Sequence, residues 1–158
     1  MRYLDQMAKM TQRAVEDVCR TALALPEDKG DWSPGGEARS VLNQMQEIAM
    51  QGAWFLTIIR EGNMPAFGGK AMKEVDRIGV THATIPACVE KAKETTAQLC
   101  QAIIEFPLNR LDDEIVLPFG GGIAMTMADV IALPYWNMVY HLGQINQIQL
   151  MLGDREMH

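Results

Sequence analysis

A chain of 158 residues with 48% hydrophobic and 22% charged content has enough apolar material to bury a core without disulfides or metals as staples. Its net charge of -6, with no cluster of Lys or Arg, excludes generic binding to nucleic acid or to an anionic membrane surface. No uncharged apolar run reaches the roughly 18 to 20 residues a spanning helix needs, and the charged start, Arg2 to Asp5, does not read as a signal peptide. Cys19, Cys88 and Cys100 are odd in number and form no Cys-x-x-Cys pair, so they read as reduced, buried small hydrophobes in a cytoplasmic protein. The 12 methionines read as adaptable core filler.

The first helix is expected from about Tyr3 to Leu25. Leu4, Met7, Ala14, Val15, Val18, Ala22 and Leu25 recur at helical spacing, with Asp5, Lys9, Arg13 and Glu16 on the other face. Pro26 ends it, and Glu27 to Glu37 reads as a loop containing the helix-breaking Pro34, Gly35 and Gly36. A second helix is expected from about Glu37 to Glu61, stopped by Gly62. A loop with Pro65, Gly68 and Gly69 then runs to Thr81. Thr84 and Pro86 open a third helix that continues to about Glu105, before Pro107. From Glu114 to Phe119 and from Ile123 to Thr126 the pattern changes to two short strands around Gly120, Gly121 and Gly122. Thr126 and Asp129 make a capping signature for a last helix running to Leu152 and ending at Gly153, with Pro134 predicting a kink.

Four long helices with apolar stripes define an all-α, four-helix-bundle domain over residues 1–158, with a small β-hairpin before the last helix. The connection between the second and third helices is long enough to cross the bundle, so a parallel arrangement of these two is sterically available.

On the last helix, Asn137 and His141 stand four apart and share one face, the spacing at which a helix offers two ligands to one metal ion. The stretch is otherwise apolar, and buried polar groups need partners. His82 reads as a solvated loop residue and His158 as a disordered terminal one. No nucleophile elbow, phosphate loop or dinucleotide fingerprint is present, so no catalytic residue can be named. Packing is the favoured role for Trp32, Trp54 and Trp136 over lining a pocket mouth.

The second helix leading into Trp54, Phe55 and Leu56, the hairpin, and a last helix bearing His141, Gly143 and Gln144 together resemble the DinB/YfiT-like superfamily of four-helix-bundle, metal-dependent proteins. The resemblance covers essentially the whole chain, and its most specific element is the His-x-Gly-Gln of residues 141–144. Members typically carry three histidines, and their positions fall here on Glu47, Asn137 and His141, of which only the last is histidine.

The resemblance implies a divalent ion (zinc, nickel, manganese or magnesium) on Glu47, Asn137 and His141, with the oxygen donors shifting preference from zinc toward manganese or magnesium. Glu37, Gln44, Gln46, Gln144 and Asn146 are candidates for supporting polar contacts. The implied activity is a divalent-metal-dependent hydrolase or thiol transferase acting with a small-molecule ligand or a low-molecular-weight thiol, in a cytoplasmic homodimer. Two other readings stand beside it. In one the three residues form a self-satisfied polar cluster in a non-catalytic, small-molecule-binding or stress-associated bundle; in the other the three positions are aligned differently.

Overall fold

The computed structural model describes residues 2–62, 73, 77, 81–117 and 121–158. Among the described residues four long helices carry the fold: α1 (Tyr3–Leu23), α2 (Val41–Glu61), α3 (Ile85–Glu105) and α4 (Met127–Met151). Strands β1 (Glu114–Leu117) and β2 (Ile123–Thr126) pair antiparallel, with Glu114 opposite Thr126 and Leu117 opposite Ile123. No described helix is long and apolar enough to cross a membrane.

Local chemistry sets most of the boundaries. Helix α2 begins at Val41 rather than at Glu37, because Ser40 is extended and its hydroxyl accepts from the Asn43 N–H as an N-cap. Its end matches expectation: Gly62 adopts the left-handed conformation (φ 67°) and returns its N–H to the Ile58 carbonyl. Thr84 caps α3 with Pro86 in the first turn, and Thr126 and Asp129 form a reciprocal capping box on α4. Helix α4 runs without a break through Pro134. The loop expected from Pro65 to Thr81 lies mostly outside the described residues, as does Phe119 of the expected strand. Lys73, Arg77 and Thr81 are described there and are helical, which departs from a loop; Thr81 Oγ1 donates to the Arg77 carbonyl.

Two apolar clusters fill the bundle. One joins the C-terminal half of α1 (Val15, Val18, Cys19), the N-terminal halves of α2 (Met45, Ile48) and α3 (Cys88, Val89), and the C-terminal half of α4 (Met138, Ile145). The other joins Leu4 and Ala8 with Phe55, Leu56, Ile58 and Ile59, with Leu99, Ile103 and Phe106, and with Ile131 and the hairpin residues Ile115 and Leu117. These pairings fix the directions. Helices α2 and α3 run parallel, α1 and α4 run parallel, and the two pairs oppose each other. The crossover that sequence left open is therefore the arrangement adopted, and it lays α3 against α2 while α4 packs on α1 and α2.

Close approach of α2 and α3 depends on Gly52. A Cβ there would lie 2.5 Å from Thr95 Oγ1 and 2.8 Å from the Thr95 carbonyl carbon, and Thr95 Oγ1 donates across the interface to the Ala49 carbonyl at 3.2 Å. All three cysteines are free and buried, and desolvation pushes each thiol up to about 11, as suits inert core residues. Two expectations fail at the surface. Trp136 is 61% exposed and stacks on Tyr140 rather than packing inside, while the His158 ring reaches Asp154 at 2.7 Å.

Candidate functional site

On α2 the residues up to Ala49 belong to one apolar cluster and those from Phe55 to the other; on α4 the division falls between Ile131 and Met138. Gln51 and Asn137 lie in this seam, and Gln44, Glu47 and His141 extend the polar set into the first cluster. Gln44, Glu47 and Gln51 recur on one face of α2 at i, i+3 and i+7, opposite Asn137 and His141 on the antiparallel α4. The structure thus brings Glu47, Asn137 and His141 together from two helices.

His141 is only 1% exposed and both ring nitrogens face oxygen. Its Nδ1 lies 3.1 Å from Gln44 Oε1, and its Nε2 lies 3.0 Å from Glu47 Oε1. Gln44 is itself buried and gives its Nε2–H to the Arg39 carbonyl at 3.3 Å, which turns Oε1 toward the ring. Nδ1 therefore carries a proton for Gln44, while Nε2 donates to Glu47 when it too is protonated and offers its lone pair to a cation when it is not. Glu47 is also bound by Arg39, whose Nη1 donates to Oε2, while Arg39 Nε donates to Asn43 Oδ1 at 2.6 Å. The His141 hydrogen bond holds the Glu47 carboxyl down to about 2, against the opposing effect of burial, and the Arg39 guanidinium adds to the lowering.

Asn137 Nδ2 donates to Gln51 Oε1 at 2.7 Å and to Glu47 Oε1 at 3.3 Å. In this arrangement Gln51 Nε2 is buried with no hydrogen-bond partner, and the whole residue is only 4% exposed. An orphaned buried amide carries a penalty of about 1 to 3 kcal/mol.

The orientation of the two amides bears on whether a divalent ion fits. Amide oxygen and nitrogen are interchangeable in shape. Turning both amides lets Gln51 Nε2 donate to Asn137 Oδ1 over the same 2.7 Å, and places Gln51 Oε1 in the unpartnered position that Nε2 held. It also replaces the Asn137–Glu47 hydrogen bond with two acceptors 3.3 Å apart, a repulsion that a cation between them would relieve. Two donors at right angles, each about 2.1 Å from one ion, are about 3.0 Å apart, close to the separations of Glu47 Oε1 from His141 Nε2 and from Asn137. The separations of Glu47 Oε1 from His141 Nε2 and from the turned Asn137 amide are therefore compatible with one ion. Among the described residues no three His, Cys, Asp or Glu side chains converge into a group that could hold a metal.

Of the supporting residues expected from sequence, Gln44 alone does that work. Gln46 donates instead to the His82 carbonyl at 3.0 Å, which makes that backbone oxygen a half-buried anchor rather than a solvated one. Glu37 and Asn146 are exposed. Gln51 and Arg39 were not singled out in the sequence. The i+4 spacing of Gln51 from Glu47 is a signal that could have found it; Arg39 precedes its helix, so helical periodicity gives no sign of it. Beside the site, Arg39, Gln44, Tyr140, Gln144 and Gln147 line an open cleft of about 490 Å³.

The sequence matches no family model and no curated protein. Solved structures do match. YfiT from Bacillus subtilis, described as a probable metal-dependent hydrolase with an unusual four-helix bundle topology, superposes with a TM-score of 0.77 at 11% identity, over 96% of this chain and 88% of its own. A DinB-like protein from Bacillus subtilis, YjoA, gives 0.72 at 18% identity, over 97% and 95%. A variant of the mycothiol-dependent maleylpyruvate isomerase gives 0.70 at 12% identity, over 90% of this chain and 60% of the isomerase. At these identities the likeness is one of architecture: the chain has the DinB/YfiT-like four-helix-bundle fold.

Proposed function

We propose that this chain is a metal-dependent protein that binds one divalent ion through Glu47 Oε1, Asn137 Oδ1 and His141 Nε2. The observation that carries the reading is the convergence from two helices of Glu47 Oε1 with His141 Nε2 at 3.0 Å and with the Asn137 amide at 3.3 Å. A neutral amide, one carboxylate and one imidazole make a weaker site than three histidines, with preference for manganese or magnesium over zinc. When bound, the ion supplies Lewis-acid chemistry toward a water or a low-molecular-weight thiol. Around it, Gln44 fixes the His141 tautomer and Arg39 holds Glu47 through the second oxygen. The adjoining cleft, with its guanidinium and three amides, suits a small polar substrate. The description of YfiT as a metal-dependent hydrolase and the thiol dependence of the isomerase support a hydrolase or thiol transferase by analogy of fold.

The test is metal content. Protein dialysed against chelator should take up one manganese ion per chain in calorimetry, and His141→Ala should abolish uptake. Wild-type protein that takes up none overturns the reading.

A second reading, a metal-free and non-catalytic bundle, has its own support: as drawn, Glu47 already receives hydrogen bonds from Arg39, Asn137 and His141. It is the outcome if no divalent ion binds. The three buried free thiols support a reducing, cytoplasmic setting. The exposed Trp136, Val139 and Tyr140 on α4 support a homodimer, which sedimentation at micromolar concentration would overturn by showing a monomer.

A further inference from the structure

We propose that Gln51 is a positioning residue that decides which atom Asn137 presents to the ion. The proposal rests on the reading of Glu47, Asn137 and His141 as ligands and adds a residue outside that set. Two observations support it. Gln51 is 4% exposed, and its Oε1 is the nearer of the two acceptors of Asn137, at 2.7 Å against 3.3 Å for Glu47. The Asn137 amide is held chiefly by Gln51, so the two amides turn together or not at all. With Gln51 accepting, Asn137 points N–H groups at Glu47, which repels a cation. With Gln51 donating, Asn137 points its oxygen there, and one lone pair takes the Gln51 hydrogen while the other faces the ion. Gln51 thus acts on the metal through Asn137, as supporting groups act on ligands elsewhere, where their loss typically costs about 10- to 100-fold in affinity.

Gln51→Glu separates this role from simple charge. A carboxylate at pH 8 has no N–H to give, so it locks Asn137 with its nitrogen toward the site. The expected result is a loss of manganese affinity of at least about tenfold, although the added negative charge alone would raise it. Gln51→Met, which leaves Asn137 free to turn, should bind manganese more tightly than Gln51→Glu. Thermal unfolding with and without manganese supplies the second readout: the ion-dependent rise in Tm should shrink more than the Tm of ion-free protein. Unchanged or tighter binding by Gln51→Glu overturns the proposal, as does an equal fall in Tm in both states. If Gln51→Met does not fold, Gln51→Glu decides alone. Failure of the wild-type chain to bind manganese is a different result, since it removes the ligand set itself.

Discussion

Gln44 holds His141 from behind: its oxygen sits 3.1 Å from Nδ1 while its amide nitrogen is anchored on the Arg39 carbonyl, and both side chains are 1% exposed. Replacing it by an apolar residue of similar size leaves the ring N–H buried with no acceptor. Gln44→Leu should therefore cost about 1 to 3 kcal/mol, read as a lower urea midpoint at unchanged m-value. Where manganese binds, its affinity should fall as well, because the ring is free to rotate its proton onto Nε2. A variant as stable as the parent would show that Gln44 does not hold the ring.

Glu47 gives the pH dependence a sign. Its folded carboxyl is drawn down to about 2 from an ordinary 4.5, first by His141 and further by Arg39. A depressed acid stabilises the fold above its unfolded pKa, and that contribution disappears as pH falls from about 4.5 toward 2. Glu47→Gln lacks this proton uptake. The stability difference between wild type and Glu47→Gln should therefore narrow steadily across that window in denaturant titrations at stepped pH. A difference independent of pH would contradict the pairing.

What the sequence made legible follows from how local each signal is. Thr84, Pro86, Thr126, Asp129 and Gly62 act within one turn of chain, and each marks the helix end where it was expected. Asn137 and His141 were visible because a helix repeats every turn. Glu47 came only through resemblance, since its meeting with α4 depends on an antiparallel contact that no spacing encodes. Arg39 and Gln51 stayed hidden for the same reason, although both touch the site. Trp136 misled because an aromatic on a mostly apolar helix reads as core, whereas α4 leaves that face uncovered.

The parallel α2–α3 pair makes a prediction at Gly52. Alanine is the better helix former by about 1 kcal/mol, so propensity alone favours Gly52→Ala. The new methyl, however, would stand 2.8 Å from Thr95 backbone, which cannot rotate away. The helices must separate, at a cost of about 1 to 3 kcal/mol for overpacking. The expected net result is destabilisation, seen as a lower Tm. Thr95→Ala should recover little of it, because the clash includes backbone as well as side chain. A neutral or stabilised Gly52→Ala would mean that α2 and α3 do not approach so closely.

Arg39 offers a way to separate the two readings of the site. Its guanidinium binds Glu47 Oε2 and places a positive charge beside any ion on Oε1. Unit charges about 6 Å apart interact by about 3 kcal/mol at an effective dielectric of about 20, and exposure and salt reduce this. Arg39→Met should thus tighten manganese binding by several-fold up to about tenfold while lowering the stability of the ion-free protein, because Glu47 loses a partner. If the cluster is complete without metal, the same substitution destabilises the fold, and manganese neither binds nor restores Tm. Calorimetry and thermal unfolding of this one variant, each with and without manganese, distinguish the two outcomes.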